Sequence, residues 1–481
     1  MSLSLKTLND MESSQIFNQH LISYSVLIFL PVLLATSQII PPTKHGFSLK
    51  LIDPLSPLSP FFNPNLTDTE RFNRILKSDR GRLRYLTSLN AGTTNFPIDP
   101  TEIQPGLSSH DLSYMVMTGI GTGAAFQNYY LHLDTGSSLT WIQCEPCHPC
   151  FQQQQPIFNP LNSPSYLSLM AFHPYCRSPD YQPGPNGLCH FSMFYADGTS
   201  ANGILSSETF TFPSSQGGNI QVPNVVFGCT HLTDTDYPLG GPVGIFGLDL
   251  EQESFISQPS CAPVTGLRFS YCLVEPGSNI PMALRFGADI TWPPVARVQQ
   301  TQILRFSTGP KQYYVNLTGI SIDDTSIYFA PGTFDRNPSG GGGFVLDSGS
   351  HFTYLPELAY RIVRNALVLH FQARHLMPLV PGGDEAVGLD LCYDLLPNVD
   401  PKDLLPSMTF HFAGADLPLF YEQVFHVDLH QQQFCLAMLP ETDVRAPGIL
   451  GAFQQVNTQF EFDTSNGGIL RMATVDCAHG V

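Results

Sequence analysis

Asp134-Thr135-Gly136-Ser137-Ser138-Leu139-Thr140-Trp141-Ile142 returns later in the chain as Asp347-Ser348-Gly349-Ser350-His351-Phe352-Thr353-Tyr354-Leu355. Each copy follows an apolar run, Tyr130-Leu131-His132-Leu133 in one case and Phe344-Val345-Leu346 in the other. A shorter echo trails each: Gly244-Ile245-Phe246-Gly247, then Gly448-Ile449-Leu450-Gly451. From Asp to the last Gly of the echo is 113 residues in the first half and 104 in the second. A single Asp-[Thr/Ser]-Gly-Ser could be a surface turn, but two aligned over nine positions far exceed chance at ordinary composition. Two halves of one layout, each ending a buried strand in an acid, would bring two carboxylates together.

A turn containing Gly allows positive φ and close backbone approach. If two such turns meet across a pseudo-two-fold axis, Asp134 and Asp347 face each other. Like charges that close share one proton and titrate as a unit. One acid can then protonate a carbonyl oxygen while the other takes a proton from an attacking water, which is peptide-bond hydrolysis by an acid pair. Thr135 and Ser348 are placed to cross-bond the opposite backbone and brace the turns. Ser137 and Ser350 are placed to hydrogen-bond the outer carboxylate oxygens, and Gly136 and Gly349 let the turns close.

The 481 residues allow more than one domain with ample core. Only 13 % are charged, Pro and Gly are frequent and long helical periodicities are scarce, so the chain reads as mainly β. A net charge of −18 argues against nucleic-acid binding. The charge is uneven. Residues 44–86 carry 8 Lys/Arg against 4 Asp/Glu, whereas 87–481 carry 13 against 34. A basic segment on an acidic body predicts a pro-segment that plugs a carboxylate-lined cleft at neutral pH and leaves on acidification.

Leu21 to Ala35 is apolar and ends in small residues near Ala35-Thr36-Ser37, which predicts a secretory leader with no other membrane span. Eleven cysteines fit an oxidising compartment, and the odd count leaves at least one unpaired within the chain. Sequons stand at Asn65-Leu66-Thr67 and Asn316-Leu317-Thr318. Cys144, Cys147 and Cys150, with His148 between, have the side chains of a metal site, but no second such pair follows. The better expectation is disulfides from this cluster to partners such as Cys176 and Cys189, with no metal and no cofactor. Cys392 and Cys435 are expected to pair with each other. Connectivity for the rest, Cys229, Cys272 and Cys477 among them, stays open.

Expected elements follow the motifs. Tyr114–Thr118 and Tyr129–Leu133 should form a hairpin leading into Asp134. A second hairpin, Phe191–Tyr195 with Gly203–Phe212, turns at Ala196-Asp197-Gly198-Thr199. It can fold over a cleft as a lid, with Tyr195 near its tip and Trp141 as a partner for the Tyr195 hydroxyl. A short helical patch is expected at Arg71–Tyr85. A long amphipathic helix should open at Pro356 and run to about His375, with Leu358, Ile362, Val363, Ala366, Leu367 and Phe371 on one face.

On these motifs the chain resembles the pepsin-like aspartic proteases, most closely the plant nepenthesin-type branch. The resemblance runs from Gly46 to Cys477. Its most specific parts are Asp134 to Cys144, the Cys-containing insert to Cys189, Tyr195-Ala196-Asp197-Gly198-Thr199, Phe227-Gly228-Cys229, Asp347 to Ser350 and Ile449 to Gln455. It implies a mainly β, bilobal pepsin-like fold with Asp134 and Asp347 as the catalytic pair and Tyr195, Asp197 and Gly198 on a flap over substrate. It also implies a monomeric acid endopeptidase acting on polypeptides, inhibited by pepstatin-type compounds, made as a zymogen and sent to the cell wall space or vacuole. The expected divisions are a leader over 1–37, a pro-segment over 38–95, a first lobe over 96–309 and a second over 310–481.

The chain departs from the branch's pattern at Ala196, Gly123, Ser350-His351, Asp249 and Ala452, has fewer insert cysteines, and adds Cys261. His351, beside the second acid, would add positive charge below about pH 6.5. Both acids and their hydroxyl neighbours are kept, against the alternative of an inactive protease-shaped binder or inhibitor.

Overall fold

The computed structural model describes residues 45–67, 69–76, 79, 82–83, 114–177, 180–194, 200–215, 217–233, 241–379 and 388–479. The expected leader lies outside them, and so do Tyr195, Asp197 and Gly198.

Each half builds the same crossing. In the first, the strand Gln127–Asp134 runs parallel to Gly244–Gly247, with Gly247 opposite Asp134. The same short strand is antiparallel to Trp141–Gln143 on its other side. In the second, Phe344–Leu346 runs parallel to Gly448–Leu450, which pairs antiparallel with Thr353–Pro356. The Gly-Ile-x-Gly echo is therefore the strand threaded between the run before each acid and the run after it. The threading leaves no room for side chains at its far end. A Cβ on Gly247 would strike the Ser138 carbonyl, and one on Gly451 the Phe352 carbonyl. Thr140 and Thr353, equivalent in the nine-residue repeat, complete the tie by accepting the Gly247 and Gly451 N–H at 3.2 and 3.1 Å.

The halves do not part cleanly at residue 309. One 15-stranded sheet includes Thr458–Asp463 and Ile469–Thr474 from the chain's end, paired next to Arg268–Cys272 and Met282–Gly287 of the first half. The expected hairpins are present as Met115–Ile120 with Gln127–Asp134, and as Cys189–Phe194 with Ser200–Pro213. The long helix spans Glu357–Gln372 and buries Ala359, Tyr360, Val363, Leu367 and Phe371. Leu358, expected on the inner face, is exposed instead, because the buried stripe is set by Ala359 and Tyr360 one and two positions later.

The amino-terminal segment is part of this architecture. Gly46–Ile52 is a strand between Met282–Gly287 and Met115–Ile120, with Phe47, Leu49 and Leu51 in the main core. Residues 69–76, 79, 82 and 83 are helical. Thr67 and Glu70 cap this helix reciprocally, the Thr67 N–H bonding Glu70 Oε2 at 2.8 Å and the Glu70 N–H bonding Thr67 Oγ1 at 3.2 Å. Phe72, Ile75 and Leu76 are buried at helical spacing, in one apolar cluster with Leu139, Trp141, Phe352 and Tyr354.

The disulfides are Cys144–Cys229, Cys147–Cys150, Cys176–Cys189, Cys272–Cys477 and Cys392–Cys435, with Cys261 free and buried. The last pair matches expectation. The bridges expected from Cys144, Cys147 or Cys150 to Cys176 and Cys189 are not formed. Trp141–Gln143 runs parallel to the strand carrying Cys229 and sets Cys144 beside it, while Cys176 and Cys189 close their own loop within the insert. No helix among the described residues is long and apolar enough to cross a membrane.

Candidate active site

Asp134 and Asp347 end equivalent strands and are both buried. Their turns are laced together: the Ser348 N–H donates to Thr135 Oγ1 at 2.9 Å and the Thr135 N–H to Ser348 Oγ at 3.2 Å. The Ser348 hydroxyl also donates to the Leu133 carbonyl at 3.3 Å. Each acid is held in the same way. Asp134 Oδ1 accepts the Gly136 N–H at 2.9 Å and Oδ2 the Ser137 hydroxyl at 2.5 Å. Asp347 Oδ1 accepts the Gly349 N–H at 3.1 Å and Oδ2 the Ser350 hydroxyl at 2.6 Å.

The two glycines act through space, not torsion. Neither adopts the positive φ that glycine permits. A Cβ at Gly136 would lie 2.6 Å from Asp347 Oδ1, and one at Gly349 2.7 Å from Asp134 Oδ1. Each glycine is the gap through which the opposite acid approaches.

Between the acids sits Arg82, 3 % exposed. Its Nε donates to Asp347 Oδ2 at 3.0 Å and Nη1 to Asp134 Oδ2 at 2.9 Å. One nitrogen, Nη2, serves both, at 2.5 Å from Asp134 Oδ1 and 3.0 Å from Asp347 Oδ1. A planar fork of donors matches paired carboxylates as a point charge cannot. Burial raises the Asp347 carboxyl, but the Arg82 charge and hydrogen bonds, with Ser350 and Gly349, outweigh it and hold the group below its ordinary value. Here a single cation lies between the two acids and offsets one of their two negative charges.

One helical turn before Arg82, Asp79 accepts the N–H groups of His351 and Phe352 at 2.6 and 2.9 Å. Phe72 stacks on His426 at 3.9 Å and meets Phe352 edge-on at 5.7 Å. Burial, with the neighbouring His426, pushes the His351 imidazole down to about 3, so the added charge expected at this position is absent while the helix is seated. Asp79 and Arg82 were not singled out in the sequence. The available signal was the spacing Phe72, Ile75, Leu76, Asp79, Arg82, which is one helical stripe.

Trp141 is buried in the apolar cluster that receives the helix. Asn65 is exposed and Asn316 half-buried. The thiols of Cys144, Cys147 and Cys150 are committed to bridges, and no group of three or more metal-ligating side chains occurs among the described residues.

Several buried acids are displaced the other way. Burial raises Asp53 to about 6 against the Leu55 and Gly277 N–H bonds, and raises Asp79 to about 7. Burial and mutual repulsion raise Asp249, whose N–H bonds the Ser137 carbonyl beside the Asp134 turn, and burial raises Glu253, which accepts the Tyr181 hydroxyl at 2.8 Å. A carboxyl raised on folding contributes stability that is fully present below about pH 4 and lost as pH rises through its folded value. Asp347, lowered on folding, adds stability above its ordinary range that is lost as pH falls through the lowered value. The full-length chain should therefore melt at its highest temperature in mildly acidic solution and progressively lower from pH 6 to 8. A melting temperature that climbs across that interval would contradict the assignment.

Family models for the xylanase inhibitor N-terminal and C-terminal domains match residues 114–288 and 312–470. The chain is 31 % identical to aspartic proteinase nepenthesin-1 of Nepenthes gracilis, over 86 % of this chain and 87 % of that protein. It is 30 % identical to nepenthesin-2 of the same plant, over 84 % and 85 %. The crystal structure of edgp superposes with a TM-score of 0.63 at 16 % identity, covering 78 % of this chain and 96 % of the other, which is agreement in fold alone. With paired acids on a repeated crossing and these relatives along most of its length, the chain belongs to the pepsin-like aspartic protease family, in its plant nepenthesin-type branch.

Proposed function

We propose that this chain is the inhibited precursor of a secreted aspartic endopeptidase that hydrolyses peptide bonds at acid pH. The observation that carries the reading is the pair of equivalent, hydroxyl-braced carboxylates close enough for one guanidinium nitrogen to reach both. With Arg82 withdrawn, two acids so placed hold a single proton between them. One then protonates the scissile carbonyl oxygen while the other accepts a proton from the attacking water. Residues 38–95 serve as the pro-segment, its helix filling the cleft.

The apolar residues around Phe72, Ile75 and Leu76 suit bulky apolar side chains of an extended substrate held by backbone hydrogen bonds. Five disulfides support secretion to the cell wall space, or alternatively delivery to the vacuole. The rival reading is a protease-shaped inhibitor, favoured by the names of the two matching family models. Against it stands the full set of acids and supporting hydroxyls. The full-length chain, acid-treated and then incubated with casein at low pH, should digest it, and a pepstatin-type inhibitor should stop the digestion. A well-folded product that leaves casein intact would favour the inhibitor.

A further inference from the structure

Gln312 carries a buried amide that the fold leaves unmatched. It is 2 % exposed, and neither Oε1 nor Nε2 has a hydrogen-bond partner among the described residues. Buried polar groups without partners are costly and few in native proteins. Its place is the seam between the two acid turns. Tyr313–Tyr314 pairs antiparallel with Phe344–Leu346, Tyr313 opposite Leu346 and Tyr314 opposite Val345. The next step of that register sets Gln312 opposite Asp347, and paired strands lie about 4.8 Å apart. The same segment is tied to the first acid. The Leu248 N–H bonds the Asp134 carbonyl at 2.8 Å, the Asp249 N–H the Ser137 carbonyl at 3.1 Å and the Leu250 N–H the Lys311 carbonyl at 2.8 Å. Tyr313 turns to the main core, its hydroxyl donating to the Leu248 carbonyl. Side chains alternate along a strand, so Gln312 shares its face with Tyr314, a member of the apolar cluster that receives Phe72, Ile75 and Leu76. The Gln312 carbonyl accepts the Tyr314 N–H at 3.0 Å, so the unmatched acceptor and donors are those of its side chain.

We propose that Gln312 is a specificity-determining residue of the opened cleft, its buried amide pairing with the side-chain amide of an Asn or Gln held at one fixed position from the cut. The inference rests on the endopeptidase reading above and adds a substrate preference to it. With the helix gone, the face that Gln312 shares with Tyr314 turns to substrate. An amide brings both a donor and an acceptor, so it can match Oε1 and Nε2 together. An ionised carboxylate brings acceptors alone, an ammonium donors alone and a leucine neither, so each leaves part of the Gln312 amide unpaired. A site built to hydrogen-bond a substrate group discriminates strongly against analogues that lack it. The adjoining carboxyls, Asp249 and Glu253, are both raised by burial, so in acid they offer a basic side chain little charge to pair with.

The test uses the full-length chain after acid activation, with a peptide series carrying Gln, Asn, Glu or Leu in turn at each position within four residues of the cut. The assay is run near pH 5, roughly where a peptide Glu is mostly ionised. One position should show kcat/KM roughly tenfold higher for an amide than for either Glu or Leu, the gain from two net hydrogen bonds. Gln312→Met, of the same length but with nothing to pair, should reverse the order of Gln and Leu at that position alone. No position favouring an amide by more than about twofold, or the same preference kept in Gln312→Met, would overturn the subsite while leaving the enzyme intact. If nothing is cut, the enzyme reading fails. The subsite is then decided by fluorescence anisotropy of the same peptides, labelled, with the acid-treated chain. The Gln peptide must bind roughly tenfold tighter than the Leu peptide to the parent and lose that advantage in Gln312→Met; equal binding, or none, would overturn it. As an independent arm, full-length Gln312→Met should melt no lower than the parent, since it removes an unpaired buried amide. A lower melting temperature, or failure to fold, would show that the amide already serves the fold and would overturn the proposal.

Discussion

An Arg82→Gln precursor should cleave peptide substrate with its amino-terminal segment still uncut. In the full-length chain the guanidinium is buried and bonded to all four oxygens of the acid pair. Removing one partner of a buried ion pair costs about 3–5 kcal/mol, because the charges left behind lack compensation. At 1.4 kcal/mol per tenfold, the open fraction should rise by about 10²- to 4 × 10³-fold. Lysine at the same place should give an intermediate result, since a point charge cannot serve both acids in plane. The measurement is a fluorogenic peptide assay in mildly acidic solution, with mass spectrometry to show that the chain is whole. An Arg82→Gln protein as silent as the parent would remove Arg82 from the inhibitory contact.

The same geometry gives the sign of acid release. Asp347, held low by Arg82, ties the helix down above the ordinary carboxylate range and lets go as pH falls through its lowered value. Asp79 works oppositely. Raised to about 7 by burial, it favours the seated helix in acid and weakens its hold above neutrality. Opening in acid is therefore driven by Asp347, against Asp79.

Asp134→Asn or Asp347→Asn should reduce acid-pH proteolysis by at least about 10²–10⁴-fold, since each removes one partner of the proton transfer. Either change should also loosen the Arg82 clasp, yielding a precursor whose pro-segment is digested more readily by an added protease while the product cuts nothing. Loss of inhibition and loss of catalysis would then appear in one molecule, a combination that a merely misfolded protein would not show. Substantial casein digestion by either variant would end the acid-pair assignment.

What the sequence disclosed and what it withheld divide along physical lines. The acids, the bracing hydroxyls of Thr135, Ser348, Ser137 and Ser350, and the Gly-Ile-x-Gly strands are local patterns written twice, so comparing the halves was enough. The helix of Glu357–Gln372 was visible from its period, but Leu358 was placed on the wrong face because apolar character does not set the rotation of a helix. Cysteine partners depended on which strands lie side by side, which no spacing records. Arg82 lies 52 residues from Asp134 and 265 from Asp347. Composition showed that the segment was basic; only the packing of the Phe72–Leu76 stripe shows which cation reaches the acids.

The strand Gly46–Ile52 has a consequence for the lifetime of the finished enzyme. It is hydrogen-bonded on both sides and contributes Phe47, Leu49 and Leu51 to the interior, yet it lies in the segment proposed above as the pro-segment. A chain deprived of it could not regain its starting arrangement after unfolding, since a piece of the interior would be gone. Such an enzyme endures by the height of its unfolding barrier and not by equilibrium, and its working life is a half-life, spent once.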